Sequence, residues 1–166
     1  MTDRVSPRLP NDIPALGISL AAAPGAGGGG GVESAHAAAH LRVLAPPSWA
    51  PPAWVFGPVW TVLYVLMGVA AWLVWRTRPP VPASALTAYG IQLVLNALWT
   101  PLFFGLGWRG AALAEIAVLW IALLVTIALF WVRSRAAAVL LLPYLVWTTF
   151  AACLNFAVWQ LNTAAV

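Results

Sequence analysis

The sequence predicts an all-α membrane protein folded as a bundle of five transmembrane helices, and three observations carry that reading. Hydrophobic residues make up 63% of the 166 residues and charged residues only 7%, whereas a soluble domain carries roughly 25% charge. The apolar residues gather in runs long enough to cross the ~30 Å hydrocarbon core as helices, at about 1.5 Å rise per residue. Arg residues then stand at the ends of those runs: Arg76 and Arg78, Arg109, Arg133 and Arg135.

In chain order, residues 1–12 read as a polar tail, and residues 13–166 as one transmembrane domain. The first span, 13–32, is long enough but contains Pro14, Pro24 and a glycine run at 27–31, all weak helix formers. A flexible tail or a signal-peptide-like stretch behind Arg4 and Arg8 is the competing reading. The Arg distribution favours a span. With five spans, Arg4, Arg8, Arg76, Arg78, Arg133 and Arg135 fall on one side, with Arg42 and Arg109 on the other. Without the first span the two sides are equal. Short cytoplasmic loops carry the excess of Arg, so the N-terminus is expected in the cytoplasm.

The second span, 54–75, is the clearest. It contains no charged residue, and Trp49, Trp54, Trp72 and Trp75 bracket it at the headgroup depth that an indole favours. Residues 77–82 make a Pro-rich turn. The third span covers 83–106, residues 107–110 make a tight link, and the fourth covers 111–132. The fifth runs from 136 to 159. Pro101 and Pro143 lie inside spans, where a kink is expected.

Several function classes are excluded or disfavoured. The net charge of +4 arises from eight Arg against Asp3, Asp12, Glu33 and Glu115. Those Arg occur singly or in pairs, so no basic patch for nucleic acid is formed. The lone Cys153 excludes an intrachain disulfide and reads as a small buried apolar residue. Glu33, His36 and His40 share a helical face but have no further nearby ligand, so no metal site is expected. Glu115 lies one turn inside its span, where capping or pairing with Arg109 is the expectation.

The remaining chemistry lies with polar and aromatic residues at mid-membrane depth. Gln92, Asn96, Trp99 and Phe103 are spaced by four, three and four, which places them on one helical face. Trp60 and Tyr64 are one turn apart, and Tyr144, Trp147, Ala151, Leu154 and Asn155 make another stripe. Together they describe a cavity walled by indoles, with a few amides and hydroxyls, suited to a flat and largely apolar ligand. The structural alternative is that the indoles fill the bundle core and the amides are interhelical hydrogen-bond partners.

Three long motifs bear on that choice: PSWAPPAWVFGPVWTVLYVLMG at 47–68, QLVLNALWTPLFFG at 92–105 and PYLVWTTFAACLNFAVWQLN at 143–162. In this order they resemble the tryptophan-rich sensory proteins, the TspO/translocator-protein family, over residues 47–162. The resemblance implies a five-helix bundle, commonly a homodimer in the lipid bilayer. It also implies a pocket, open toward one end, for porphyrins and related hydrophobic ligands, with no cofactor required. Sterol binding and transport, and light-dependent breakdown of protoporphyrin, are associated with some members. Carried over by motif, Trp60 and Trp147 are the residues tied to porphyrin chemistry, and catalytic only if degradation occurs. Asn96 and Trp99 are the amide and aromatic of the second motif, Ala151 governs ligand accommodation, and Leu154 and Asn155 form the LN pair. The expectation is a porphyrin-binding membrane receptor or transporter, with a light-dependent porphyrin-degrading enzyme as the alternative. This chain departs from the family in its Gly-rich first span and in lacking Lys or Arg near any Tyr of the last span, which argues against cholesterol.

Overall fold

The computed structural model describes residues 45–77 and 83–163. The predicted span 13–32, the tail before it, the Glu33, His36 and His40 face, and Arg4, Arg8, Arg42 and Arg78 lie outside the described residues. Helices α1 (Phe56–Trp75), α2 (Ala83–Thr100), α3 (Arg109–Arg133), α4 (Arg135–Leu140) and α5 (Leu142–Thr163) make up almost all of the rest. No strand occurs among the described residues. The protein is an all-α membrane protein.

The helix ends follow from local chemistry. A 3-10 turn over Ala53–Val55 leads into α1, and Pro58 sits in the first turn of α1, where no backbone N–H is needed by the helix. Helix α2 stops where Pro101 begins a π-turn, Pro101–Gly105, closed by Leu106 N–H donating to Pro101 O at 2.9 Å. Gly107 then turns the chain with φ +66°, a left-handed conformation that a side chain would oppose. Ser134 ends α3 in an extended conformation and caps α4, its Oγ accepting from Ala137 N–H at 3.3 Å. The expected disturbance at Pro143 falls two residues upstream, where Leu141 separates α4 from α5 and its N–H donates to Ala138 O at 3.1 Å. A proline removes the hydrogen bond to the carbonyl four residues back, so the break appears in the preceding turn.

Three segments are long and apolar enough to cross a membrane: Ala53–Trp75, Arg109–Arg133 and Arg135–Asn162, the last joining α4 and α5. Helix α2 is not among them. It has 18 residues before Pro101, and its inward face carries Gln92 and Asn96, both buried. The chain nevertheless runs alternately up and down. Phe56 meets Trp147 and Trp60 meets Tyr144, so α1 is antiparallel to α5. Asn96 bonds Tyr64 while Tyr89 bonds Met67, so α2 is antiparallel to α1. Tyr89 stacks on Phe130, and Trp120 donates to Thr149, which orients α3 against α2 and α5.

Helix α3 is the hub, packing on α2, α5 and α4 through Ala112, Ile116, Leu119, Leu123, Thr126 and Phe130, which alternate at spacings of four and three. Helix α1 packs on α4, and among their residues Ala70, Ala137 and Ala138 are fully buried. Lipid tails are as apolar as Leu, so helices in a bilayer gain little from hydrophobic burial and depend on close backbone approach and hydrogen bonds. Gly110 shows the same requirement where α3 meets α5. A Cβ there would stand 3.3 Å from the Trp159 ring. The outer surface of the bundle is correspondingly apolar, with Val62, Val94, Val118, Ile121 and Val146 all exposed.

Candidate functional site: an aromatic cavity at one end of the bundle

The antiparallel arrangement brings together the start of α1, the end of α2, the first half of α3 and the first half of α5. There the helices separate around a small cavity, open on one side and lined by Phe56, Trp60, Asn96, Trp99, Ile116, Leu119, Trp147, Thr148 and Ala151. Three indoles and a phenyl ring dominate its wall. Each ring is held by a neighbour: Trp60 lies 5.4 Å from Tyr64 and 6.1 Å from Tyr144, Trp99 is stacked on Phe103 at 5.0 Å, and Trp147 lies 5.6 Å from Phe56 and 5.3 Å from Phe150. Aromatic pairs at such separations favour fixed relative orientations, so the cavity wall is preformed.

The polar contribution is small and localised. Asn96, buried, donates its Nδ2 hydrogen to Tyr64 Oη at 3.0 Å. Thr148 Oγ1 donates to Tyr144 O at 2.7 Å, one turn back along α5, so its hydroxyl proton is already used. Trp99 Nε1 is buried and has no hydrogen-bond partner among the described residues, so the indole offers a donor to whatever fills the space beside it.

The strap formed by residues 45–52 lies across this end. Ala45 N–H donates to Asn162 Oδ1 at 3.2 Å, and Asn162 Nδ2 donates to Ala45 O at 3.3 Å and to Val158 O at 2.8 Å. Trp49 meets the Phe150 ring edge-on at 5.9 Å. Thus Asn162 fastens the strap to α5 while Trp49 rests on the ring that supports Trp147.

Of the ten candidate ligand contacts, Trp60, Asn96, Trp99, Trp147 and Ala151 line the cavity. Tyr64 stands behind them, bonded to Asn96 and packed on Trp60. Phe103 and Leu154 belong to a buried cluster with Ala112 and Val158 next to the cavity. Gln92 is fully buried one turn deeper than Asn96. Asn155 is turned to the α3 backbone: with its amide oriented to suit its neighbours, Nδ2 donates to Arg109 O at 3.2 Å and Oδ1 accepts from Leu113 N–H at 3.1 Å. It joins α5 to the first turn of α3.

Four lining residues are additional. Phe56 lies one turn before Trp60, a spacing that could have revealed it, and Thr148 follows Trp147 directly. Ile116 and Leu119 carry no mark that separates them from the other apolar residues of α3. Two expectations fail. Cys153 is exposed rather than buried, because α5 turns that face outward. Glu115 neither caps α3 nor finds a partner: it lies beyond the first turn, and neither carboxylate oxygen has a hydrogen-bond partner among the described residues. Arg109, six positions earlier, projects from a different side of the helix.

Comparison with known proteins identifies the family. The TspO/MBR family matches residues 17–160. The Chlorobaculum tepidum tryptophan-rich protein TspO is 41% identical over 125 residues, which cover 74% of this chain and 79% of that protein. The human translocator protein is 37% identical over 153 residues, 90% of each chain. Protein CrtK of Rhodobacter capsulatus is 36% identical over 121 residues, covering 72% and 76%. With its helical bundle, its indole-lined cavity and this match over most of its length, the chain belongs to the TspO/MBR family.

Proposed function

We propose that this protein is an integral membrane receptor or transporter that binds porphyrins in the cavity between α1, α2, α3 and α5. The observation that supports the reading is the wall itself, in which Trp60, Trp99 and Trp147 surround one space with Asn96 as its amide. Flat indole faces suit a flat conjugated ligand, and a few polar groups then fix its orientation. A tetrapyrrole is larger than this space, so it binds with its edge protruding through the open side or with the strap displaced.

Orientation follows from the exposed Arg76, Arg133 and Arg135 at the end opposite the cavity, with Arg109 at the cavity end. The Arg-rich end faces the cytoplasm, and the cavity opens toward the other side. The family resemblance adds a homodimer as the working unit. Titration of the purified protein with protoporphyrin in darkness, read by Trp fluorescence, tests the binding. Saturable quenching that is reduced in a Trp60→Phe, Trp147→Phe variant is expected, and unsaturable quenching equal in both proteins would refute it. A second reading, light-dependent porphyrin breakdown, is favoured by the presence of Trp60 and Trp147 on the same cavity wall. Illumination of the same samples in air separates turnover from binding.

A further inference from the structure

The corner between α3 and α4 joins positive charge to an indole at the Arg-rich end of the bundle. Arg133 is the last residue of α3 and Arg135 the first of α4. Between them Ser134 is extended, with φ −153° and ψ 107°. Its N–H donates to Phe130 O at 2.7 Å and its Oγ accepts from Ala137 N–H at 3.3 Å, so the corner is fastened to the helix on either side. The Arg135 guanidinium carbon lies 5.7 Å from the centre of the Trp131 ring, a separation at which the ring face attracts a cation. Trp131, Val132, Arg133 and Arg135 are all exposed.

No carboxylate among the described residues reaches this corner. Glu115 is the only acidic side chain described, and it precedes Arg133 by eighteen positions on the same helix, about 27 Å along the axis. Two guanidiniums thus present their donors outward, in the planar fork that matches a phosphate. The residues just before them supply the other parts of a lipid-binding surface. An indole favours headgroup depth, and Val132, 82% exposed, offers an aliphatic side chain to the bilayer. Because Trp131 already holds Arg135, less side-chain freedom is lost when a ligand binds. A zwitterionic headgroup would bring a cation of its own beside the two Arg, whereas an anionic headgroup brings none, and charge complementarity therefore selects the anionic lipid.

We propose that Trp131, Arg133 and Arg135 form a binding site for the headgroup of an anionic phospholipid in the leaflet at the Arg-rich end. The two guanidiniums donate to the phosphate oxygens, Trp131 keeps Arg135 at headgroup depth, and Val132 faces the acyl chains. The site does not depend on what occupies the cavity.

Native mass spectrometry of the full chain, released from detergent that contains phosphatidylglycerol and phosphatidylcholine in equal amounts, tests this by reading which lipid stays bound. The unaltered protein should retain phosphatidylglycerol in preference. Arg133→Gln with Arg135→Gln should lower its affinity for that lipid by about thirtyfold, with the helical circular dichroism unchanged, whereas Arg109→Gln, at the other end of α3, should leave the preference intact. Trp131→Leu keeps both charges but frees Arg135, and a several-fold loss there is the sign of a built site rather than of charge alone. Equal retention of the two lipids by the unaltered protein would overturn the site whether or not the variants fold, and so would a preference that survives in the double Gln variant. Displacement of phosphatidylglycerol by millimolar glycerol phosphate would mean that the corner takes a soluble phosphate, and would overturn the assignment to a lipid.

Discussion

The hydrogen bond from Asn96 Nδ2 to Tyr64 Oη, 3.0 Å long, ties the cavity wall on α2 to α1, and Tyr64→Phe removes its acceptor while keeping the ring that packs on Trp60. Asn96 is 6% exposed, so its amide cannot recover the bond from bulk water. A buried donor left unsatisfied costs about 1–3 kcal/mol, which for a chain of this length corresponds to a fall of roughly 2–10 °C in melting temperature. The loss should be smaller in Tyr64→Phe combined with Asn96→Leu, because removing both partners leaves nothing unsatisfied. Porphyrin should recover part of the loss in the single variant if an acceptor on the ligand reaches Asn96. Thermal melting in one detergent, with and without ligand, measures all of these. If Tyr64→Phe melts with the unaltered protein, or if the double variant loses as much as the sum of the two singles, the bond does not hold the wall and the reasoning fails.

Four further outcomes are expected. Ala151→Thr should weaken porphyrin binding about tenfold: threonines on α5 already donate one turn back, as Thr148 and Thr149 do, so the new hydroxyl is satisfied while the added bulk narrows the cavity at ~1–3 kcal/mol; equal affinity by fluorescence quenching would place this wall outside the site. Trp60→Phe together with Trp147→Phe should reduce any light-driven porphyrin loss more than it reduces binding in darkness, and unchanged photochemistry would clear both indoles of a role. Asn162→Ala releases both hydrogen bonds to Ala45 and should speed ligand dissociation several-fold in stopped-flow measurements, an identical rate showing that the strap does not control exit. A reporter fused at the C-terminus should lie on the side opposite the Arg-rich end, and its appearance on the same side as Arg133 would reverse the proposed orientation.

What the sequence made legible depended on whether a residue's role was written in its spacing. The stripe Asn96, Trp99 and Phe103, and the pair Trp60 and Tyr64, could be assigned to inward faces because polar or aromatic groups recur at helical intervals against an aliphatic background. Ile116 and Leu119 line the same cavity but belong to an α3 face that is apolar throughout, so nothing distinguished them from Leu123 one turn further on. The interruption at Pro143 was readable as chemistry, and its exact place was not. It falls at Leu141, where the carbonyl ladder first feels the missing N–H.

Asn155 and Asn162 show why amides are the hardest residues to assign in such a chain. Both were carried by the last motif as polar residues of one helix, yet neither lines the cavity. Asn155 spans the Arg109 carbonyl and the Leu113 amide, and Asn162 spans the amide and carbonyl of Ala45. In each case a side chain that offers one donor and one acceptor meets a backbone that offers the complement. Such a match is independent of helical phase, and only the fold reveals it. Within a bilayer these bonds substitute for the hydrophobic contrast that would hold a soluble protein together. The amides of α5 therefore fix the frame, one at α3 and one at the strap, within which the indoles can leave a space between them.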